Sequence, residues 1–440
     1  MINFTIFRKI TLFSGDLFLL FLSLIITLII GFGQSISETI IWQHILPFSL
    51  LFIIWIIIFF IFDFYELDML KSGFSLTIKI GMGLLVCLII GIIFFYLIPY
   101  FGVNPKTNLL TLILILWALL ILWRKIALNL FSSHFQNRVA IIGLTEESKK
   151  LALAFKQNPQ MGYNLIEVIP VQNISLLSKK IKEFKLNTII LAKNLSSEAE
   201  LDLALYKCLP LKINFLNLAQ AYEIAFQKIP LDFVEYVWFL ENLKEGKKKL
   251  YDKTKRFTDI LLGSFFLLIT LPFCLLIAVF IKIDSKGPIL YKQKRVGKDG
   301  NEFWLFKFRS MKEKAEKNGA VWAEKNDHRI TRLGRFLRAA HLDEFPQMLN
   351  IIKGDISLVG PRPERPEFVQ TLEKQIPHYN LRHLIKPGFT GWAQVKFRYC
   401  RSLQDSFEKF QYDLYYIKNR SFFLDLLTLL KTFQLFFKKE

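Results

Sequence analysis

Four apolar runs, at approximately 12–32, 45–62, 80–100 and 109–123, carry almost no charge. A run of about 18 or more such residues is long enough to cross a bilayer as a helix, so the pattern predicts four spans in the first 130 residues. Arg8 and Lys9 before the first run suit a signal peptide, yet no small-residue cleavage site follows them. The run reads as an uncleaved first helix. Residues 33–44 hold no Lys or Arg, Lys71 and Lys79 lie in the second loop, Lys106 is alone in the third, and Arg124 and Lys125 follow the fourth run. The Lys/Arg bias places the N-terminus and everything after Trp123 on the cytoplasmic side.

From Arg138 the texture changes to short apolar stretches separated by polar, helix-like ones: 139–142, 165–170 and 187–191 against 146–155 and 198–208. Alternation of this kind predicts a small parallel α/β domain. Its first turn, Gly143-Leu144-Thr145-Glu146-Glu147-Ser148, holds one glycine, where a dinucleotide fingerprint needs three. A regulatory or scaffolding role is therefore favoured over cofactor binding.

A fifth apolar run at 260–281 differs from the first four. Lys247, Lys248, Lys249, Lys253, Lys255 and Arg256 precede it, and Lys282, Lys286, Lys292, Lys294, Arg295 and Lys298 follow. Both flanks favour the cytoplasm, and Pro272 near the middle removes a backbone donor. Ser264 and Thr270 are placed to bond freed carbonyls. The pattern predicts a broken, re-entrant helix at about 257–283. A straight fifth span would put every later motif outside the cell.

Composition sharpens this picture. Hydrophobic residues make up 52%, Phe alone numbers 44 of 440, and mean hydropathy is +0.34, more apolar than a single well-covered soluble core requires. Net charge is +20, compatible with anionic lipid, nucleic acid or a phosphorylated substrate. Cys87, Cys208, Cys274 and Cys400 show no CxxC or Cys/His spacing, so neither a disulfide framework nor a structural zinc is expected. Asp16 and Lys79 are the chief polar residues of the spans and sit near their ends, which argues against an ion pathway.

The chemistry gathers after residue 290. KQKRVGKDGNEFWLFKFRSM reads as a hairpin turning at Asp299-Gly300 and delivering Lys307 and Arg309 near the end of its second strand. Arg332, Arg335 and Arg338 recur at three-residue intervals on one side of a helix. Asp343 and Glu344 follow; an isolated Asp-Glu pair is most often a helix cap, with Pro346 in the first turn. Beyond them, GPRPERP is a proline-stiffened turn that fixes Arg362 and Arg365, and KPGFTGWAQV is a second Gly/Pro-punctuated loop. In 422–437 the polar residues Asp425, Thr428, Lys431, Thr432 and Gln434 fall mainly on one helical face, which suits a helix lying in the membrane interface or one packed on the domain core. Lys438 and Lys439 lean toward anionic lipid.

The ordered motifs KQKRVGKDGNEFWLFKFRSM, LRAAHLDEFPQMLNIIKGDISLVGPRPE, KPGFTGWAQV and QYDLYYIKNRS, spanning about residues 252–440, resemble the bacterial sugar transferase family of polyprenyl-phosphate phosphoglycosyl transferases. The four spans and α/β domain in front look like its long, multi-span branch. The resemblance implies transfer of a sugar 1-phosphate from a UDP-sugar to undecaprenyl phosphate at the cytoplasmic face of the bacterial inner membrane, with Mg²⁺. It places the family's nucleophile on Asp343 and its metal-associated carboxylate on Glu344. The phosphate-binding basic residues fall on Lys307, Arg309, Arg338 and Arg362. Ala340-His341 stands where Thr-Ser is often found, and Lys396-Phe397 where Asn is common.

The expected architecture is thus a four-helix transmembrane domain (1–130), a Rossmann-like cytoplasmic α/β domain (131–250) and a mixed α/β catalytic domain with re-entrant and interfacial helices (251–440). Membrane lipid is an expected partner and nucleic acid is not, while a homo-oligomer stays open. Two rival readings are a membrane-tethered NAD-dependent sugar-nucleotide oxidoreductase, which needs a fuller glycine fingerprint, and a membrane-anchored regulatory protein with an inert dyad.

Overall fold

The computed structural model describes residues 4–437 apart from 34–36, 68–69, 71–72, 99–105, 134–135, 193–198, 235, 244, 313–328 and 398–401. Lys71, Glu198, Cys400, Lys438 and Lys439 lie outside the described residues. The chain forms two compact units, 1–226 and 227–440.

In the first unit, α1 (Phe4–Phe32), α2 (Glu38–Ile61), α3 (Gly73–Leu97) and α4 (Lys106–Ser133) coincide with the four apolar runs, and each is long and apolar enough to cross a membrane. Arg124 of α4 grips Asp16 of α1 through two bonds of 2.7 Å, and both side chains are fully buried. Charged side chains inside a membrane bundle are usually paired, and this pair ties α1 to α4.

The α/β part follows as β1 (Asn137–Ile142), α5 (Glu146–Gln157), β2 (Tyr163–Ile169), α6 (Leu177–Phe184), β3 (Thr188–Leu191), α7 (Ala199–Cys208), β4 (Asn214–Asn217) and α8 (Leu218–Phe226). The strands are parallel in the order β2-β1-β3-β4. That is the flavodoxin-like doubly wound order rather than the 3-2-1-4 order of a Rossmann half. At the N-terminus of α5, Thr145 and Ser148 cap each other's backbone N–H groups. Glu146 and Glu147 fill its first turn, which makes the end a poor phosphate cradle.

The second unit comprises α9 (Tyr236–Asn242), α10 (Lys249–Asp284), β5 (Leu290–Val296), β6 (Glu302–Phe308), α11 (Arg332–Ala339), α12 (Gln347–Lys353), β7 (Ser357–Val359), α13 (Pro366–Gln375), β8 (Gly388–Thr390), α14 (Trp392–Lys396), α15 (Leu403–Asn419) and α16 (Phe422–Phe437). Its first 24 residues, which the sequence pattern attaches to the middle domain, pack here instead. Lys228 pairs with Glu408 at 2.8 Å, Trp392 Nε1 donates to Gln227 O, and His378 lies between the rings of Tyr236 and Phe239. A chain beginning at Gln227 should therefore keep the thermal midpoint of this unit. One beginning at Lys247 should lose about 3 kcal/mol, the scale of deleting a buried aromatic, and a thermal scan of the two truncations checks it.

The apolar run around Pro272 is not interrupted: α10 is one helix of 36 residues. Proline frees the carbonyl four residues back, that of Leu268; Thr270 Oγ1 bonds the neighbouring carbonyls of Phe266 (2.7 Å) and Leu267 (3.4 Å). Both ends of α10 seat on the same unit. Arg256 donates to the carbonyls of Ile351 and Ile352, whereas Ile281 packs with Phe308 and Leu337. Between them Phe265, Leu268, Ile269, Leu271, Phe273, Leu275 and Leu276 stand exposed.

Helix α16 is inside-out for an aqueous protein. Asp425, Thr428 and Lys431 are buried, while Phe422, Phe423, Leu426 and Phe433 are exposed. Asp425 receives Lys255 (2.7 Å), Tyr251 (2.6 Å) and Tyr416 (2.6 Å).

Candidate active site

The hairpin β5–β6 turns through Lys298–Gly300, where Asp299 has φ 55° and Gly300 φ 78°, the left-handed pair that Asp-Gly supplies. The outer edge of β6 is closed by a side chain. Asn350 of α12 accepts from Phe306 N–H (3.0 Å) and donates to Trp304 O (2.7 Å). This pairing fixes the strand that carries Lys307.

The Asp-Glu pair lies between α11 and α12. Thr331 caps α11 by accepting from Gly334 N–H at 2.9 Å. A Cβ on Gly334 would stand 2.0 Å from Ser310 O, so glycine is required where α11 crosses the end of β6. After α11, His341 takes the left-handed conformation at φ 54°. One tight turn, Leu342–Glu344, then leads into α12. Leu342 and Phe345, on either side of the dyad, pack into the cluster of Ile281, Phe308 and Leu337. The dyad is thereby anchored against the apolar helix α10.

Asp343 is not a helix cap. His341 and Pro346 occupy the two N-cap positions, and neither helix start has a side-chain cap bond. Among the described residues no hydrogen bond reaches the Asp343 carboxylate, although the residue is only 8% exposed. Burial pushes its carboxyl up, Lys307 and Arg338 pull it down, and Glu344 reinforces the rise.

Glu344 is bound twice. Its Oε1 accepts from Lys307 Nζ at 2.8 Å and from Arg362 Nη2 at 2.5 Å, with Arg362 Nη1 at 3.5 Å from Oε2. Burial alone would raise this carboxyl, but Arg362 and Lys307 outweigh it and hold Glu344 far below the usual range. Lys307 is lowered by burial. Arg338 donates through Nε to Ser310 Oγ at 2.8 Å.

Lys307, Arg338, Asp343, Glu344 and Arg362 thus come together from β6, α11, the dyad turn and the proline loop. Arg309 does not join them. β6 ends at Phe308, and one residue later the Arg309 guanidinium bonds Ser285 O (2.6 Å) and Ser285 Oγ (2.8 Å) at the end of α10. Strand alternation, which would have put it beside Lys307, has already stopped. Arg332 and Arg335 are exposed on α11.

The donor set suits a divalent cation of the magnesium kind, which takes one or two carboxylates and completes its shell with water and substrate phosphates. Oε2 of Glu344 has one long contact, and among the described residues no hydrogen bond reaches Asp343. Among the described residues no group of three His, Cys, Asp or Glu side chains forms a self-sufficient metal cage.

Sequence reasoning passed over the residues that hold the proline loop. Glu364 lies between Lys409 (2.7 Å) and Arg295 (3.8 Å), and Arg382 is paired with Asp413. Each sits inside or near a quoted motif, but only the fold shows their partners. Burial would raise Glu364, yet Lys409 and Arg382 bring it down to about 2. A depressed carboxyl contributes stability present above its unfolded value of 4.5 and lost as pH falls toward 2. The stability gap between wild type and Glu364→Gln should therefore be on the order of 3 kcal/mol at pH 7 and should close across that window. Thermal unfolding of both proteins over that range measures it.

A sequence model described as bacterial sugar transferase matches residues 250–439. The chain is 44% identical over 183 residues to a UDP-N-acetylgalactosamine-undecaprenyl-phosphate N-acetylgalactosaminephosphotransferase of Aeromonas hydrophila, covering 42% of this chain and 43% of the relative. It is 38% identical over 185 residues to a UDP-glucose:undecaprenyl-phosphate glucose-1-phosphate transferase of Caulobacter vibrioides, covering 41% and 68%. An enzyme of the same name from Escherichia coli K12 is 29% identical over 322 residues, covering 69% and 68%. That last match is longer than the family segment and so reaches upstream of it. The chain spans between 37% and 43% of the length of the first relatives it matches.

Proposed function

Since the chain belongs to the bacterial sugar transferase family, we propose that it transfers a sugar 1-phosphate from a nucleotide diphosphate sugar, a UDP-sugar, to undecaprenyl phosphate on the cytoplasmic face of the bacterial inner membrane. One observation carries this reading. Asp343 is a buried carboxylate that caps nothing and is bonded by nothing among the described residues, set beside Lys307, Arg338 and Arg362. A diphosphate brings the negative charge that such a cluster compensates.

In the proposed first step an Asp343 oxygen attacks the sugar-bearing phosphorus. The bond from that phosphorus to the bridging oxygen breaks, UMP leaves with the electron pair, and the sugar phosphate stays on the carboxylate as an acyl phosphate. A phosphate oxygen of undecaprenyl phosphate then attacks the same phosphorus and releases the carboxylate. An ionised carboxylate needs no general base. Arg362 is about one-third exposed while bonded to Glu344, so its free edge is available to the diphosphate. Lys307 and Glu344 hold one another in place, and Arg338 adds charge beside Asp343. Glu344, with Asp343, would hold Mg²⁺, which when bound supplies charge neutralisation on the diphosphate oxygens.

A lipid acceptor demands a site at the bilayer surface. The exposed middle of α10, the seating of both its ends on one unit and the outward apolar face of α16 support that placement. Basic residues on both flanks keep both ends of α10 cytoplasmic. Leu250→Cys and Leu290→Cys should label from the same side; labelling from opposite sides would make α10 a fifth span. The oxidoreductase reading is disfavoured by the acidic, self-capped start of α5.

Release of UMP from UDP-glucose and UDP-N-acetylgalactosamine, dependent on added undecaprenyl phosphate, tests the function. Absence of UMP across a panel of UDP-sugars would sink it.

A further inference from the structure

Every carbonyl from Pro361 to Glu364 is held by a donor from elsewhere in the second unit. Gly388 N–H donates to Pro361 O (2.8 Å), Arg382 Nη2 to Arg362 O (2.8 Å), Arg295 Nη1 to Pro363 O (2.8 Å) and Val296 N–H to Glu364 O (2.9 Å). Prolines fix φ on both sides of Arg362, and Pro363 also restricts the residue before it. The grip on the Arg362 carbonyl acts at the root of the side chain that reaches Glu344.

Arg382 is an expensive choice for that grip. It is 3% exposed, and its Nη2 is shared with Asp413 Oδ2 at 3.2 Å, itself 1% exposed. Nη1 bonds the Tyr379 hydroxyl, and the guanidinium stands 4.9 Å over the Tyr379 ring. A buried ion pair contributes little net stability compared with apolar side chains of the same volume. What apolar side chains cannot do is hold a main-chain carbonyl and a carboxylate with one rigid fork.

We infer that Arg382, oriented by Asp413 and Tyr379, is a positioning residue that works through the Arg362 main chain to aim the Arg362 guanidinium at the diphosphate. The inference rests on the transferase reading, and its test separates the two.

The test is a double-mutant cycle on the full chain in nanodiscs of phosphatidylethanolamine and phosphatidylglycerol. Wild type, Arg362→Gln, Arg382→Gln and the double variant are compared for pyrophosphate affinity by calorimetry and for UMP release. Arg382→Gln should lower kcat by about 100-fold, the scale of a small misplacement at a reacting centre, and should weaken pyrophosphate binding. In the Arg362→Gln background the same change should do nothing further. Arg382→Lys keeps a charge for Asp413 but not the fork, so it should recover thermal stability without recovering affinity. Asp413→Asn, which loosens Arg382 at constant volume, gives an independent cycle with the same expected non-additivity. Fully multiplicative losses, or unchanged pyrophosphate affinity in Arg382→Gln, would overturn the inference, as would a wild type that does not bind pyrophosphate. A non-additive cycle in a protein that releases no UMP would overturn the transferase reading alone.

Discussion

Asp343→Asn is expected to lower UMP release by on the order of 10⁴-fold or more, the scale of removing a covalent nucleophile, and to make the protein more stable. Asn keeps the shape and loses the attacking charge. The stability gain follows from the balance at this carboxyl: burial and Glu344 together outweigh the attraction of Lys307 and Arg338, so its folded value lies above the ordinary 3.8. A raised carboxyl is a net burden on the fold once ionised, and the neutral amide removes that burden at pH 7. In the wild type, the acid limb of kcat/KM should accordingly lie above 3.8, because the proposed nucleophile must be ionised in the free protein to attack. Turnover assays across pH, with thermal scans of both proteins in the same lipid, measure these outcomes. An Asn variant of near-normal rate, with no phosphosugar adduct trapped on Asp343, would sink its role as nucleophile.

Glu344→Ala is expected to act in the opposite sense on stability. Lys307 and Arg362 converge on one oxygen of this carboxylate, and removing it leaves two cations facing each other within the unit. Breaking a buried pair by deleting one partner typically costs about 3–5 kcal/mol. Turnover should fall together with stability, since Lys307 and Arg362 lose the group that fixes their separation. Glu344→Gln keeps acceptor geometry without charge and should fall between the two. Chemical denaturation in a fixed lipid background ranks the three proteins; an Ala variant as stable as wild type would show that Glu344 does not hold the cluster together.

Much of this arrangement was legible in the sequence because it is local. The four apolar runs became α1 to α4, Asp299-Gly300 became the hairpin turn, and Lys307, Arg338, Asp343, Glu344 and Arg362 met as their motifs suggested. What escaped notice depends on where an element stops or on what lies across the fold. Arg309 is one residue beyond its strand, so its direction follows the chain's exit rather than the pleat. Arg382 and Asp413 find the loop only through tertiary packing, over sequence separations no periodicity records. The doubly wound strand order likewise follows from how crossovers wind, not from the alternation that announced them.

The carboxylate of Asp425 has a consequence for how deep the enzyme floats. It binds Lys255 and Tyr251 in the opening turns of α10 from a helix whose outer face is Phe422, Phe423, Leu426 and Phe433. The two oily elements of the second unit are therefore riveted together at one polar point and cannot sink or rise independently. Under the proposed function that rivet acts as a waterline: it sets the height of Asp343 relative to the apolar faces of α10 and α16, and with it how far the proposed polyprenyl phosphate has to lift its headgroup to react.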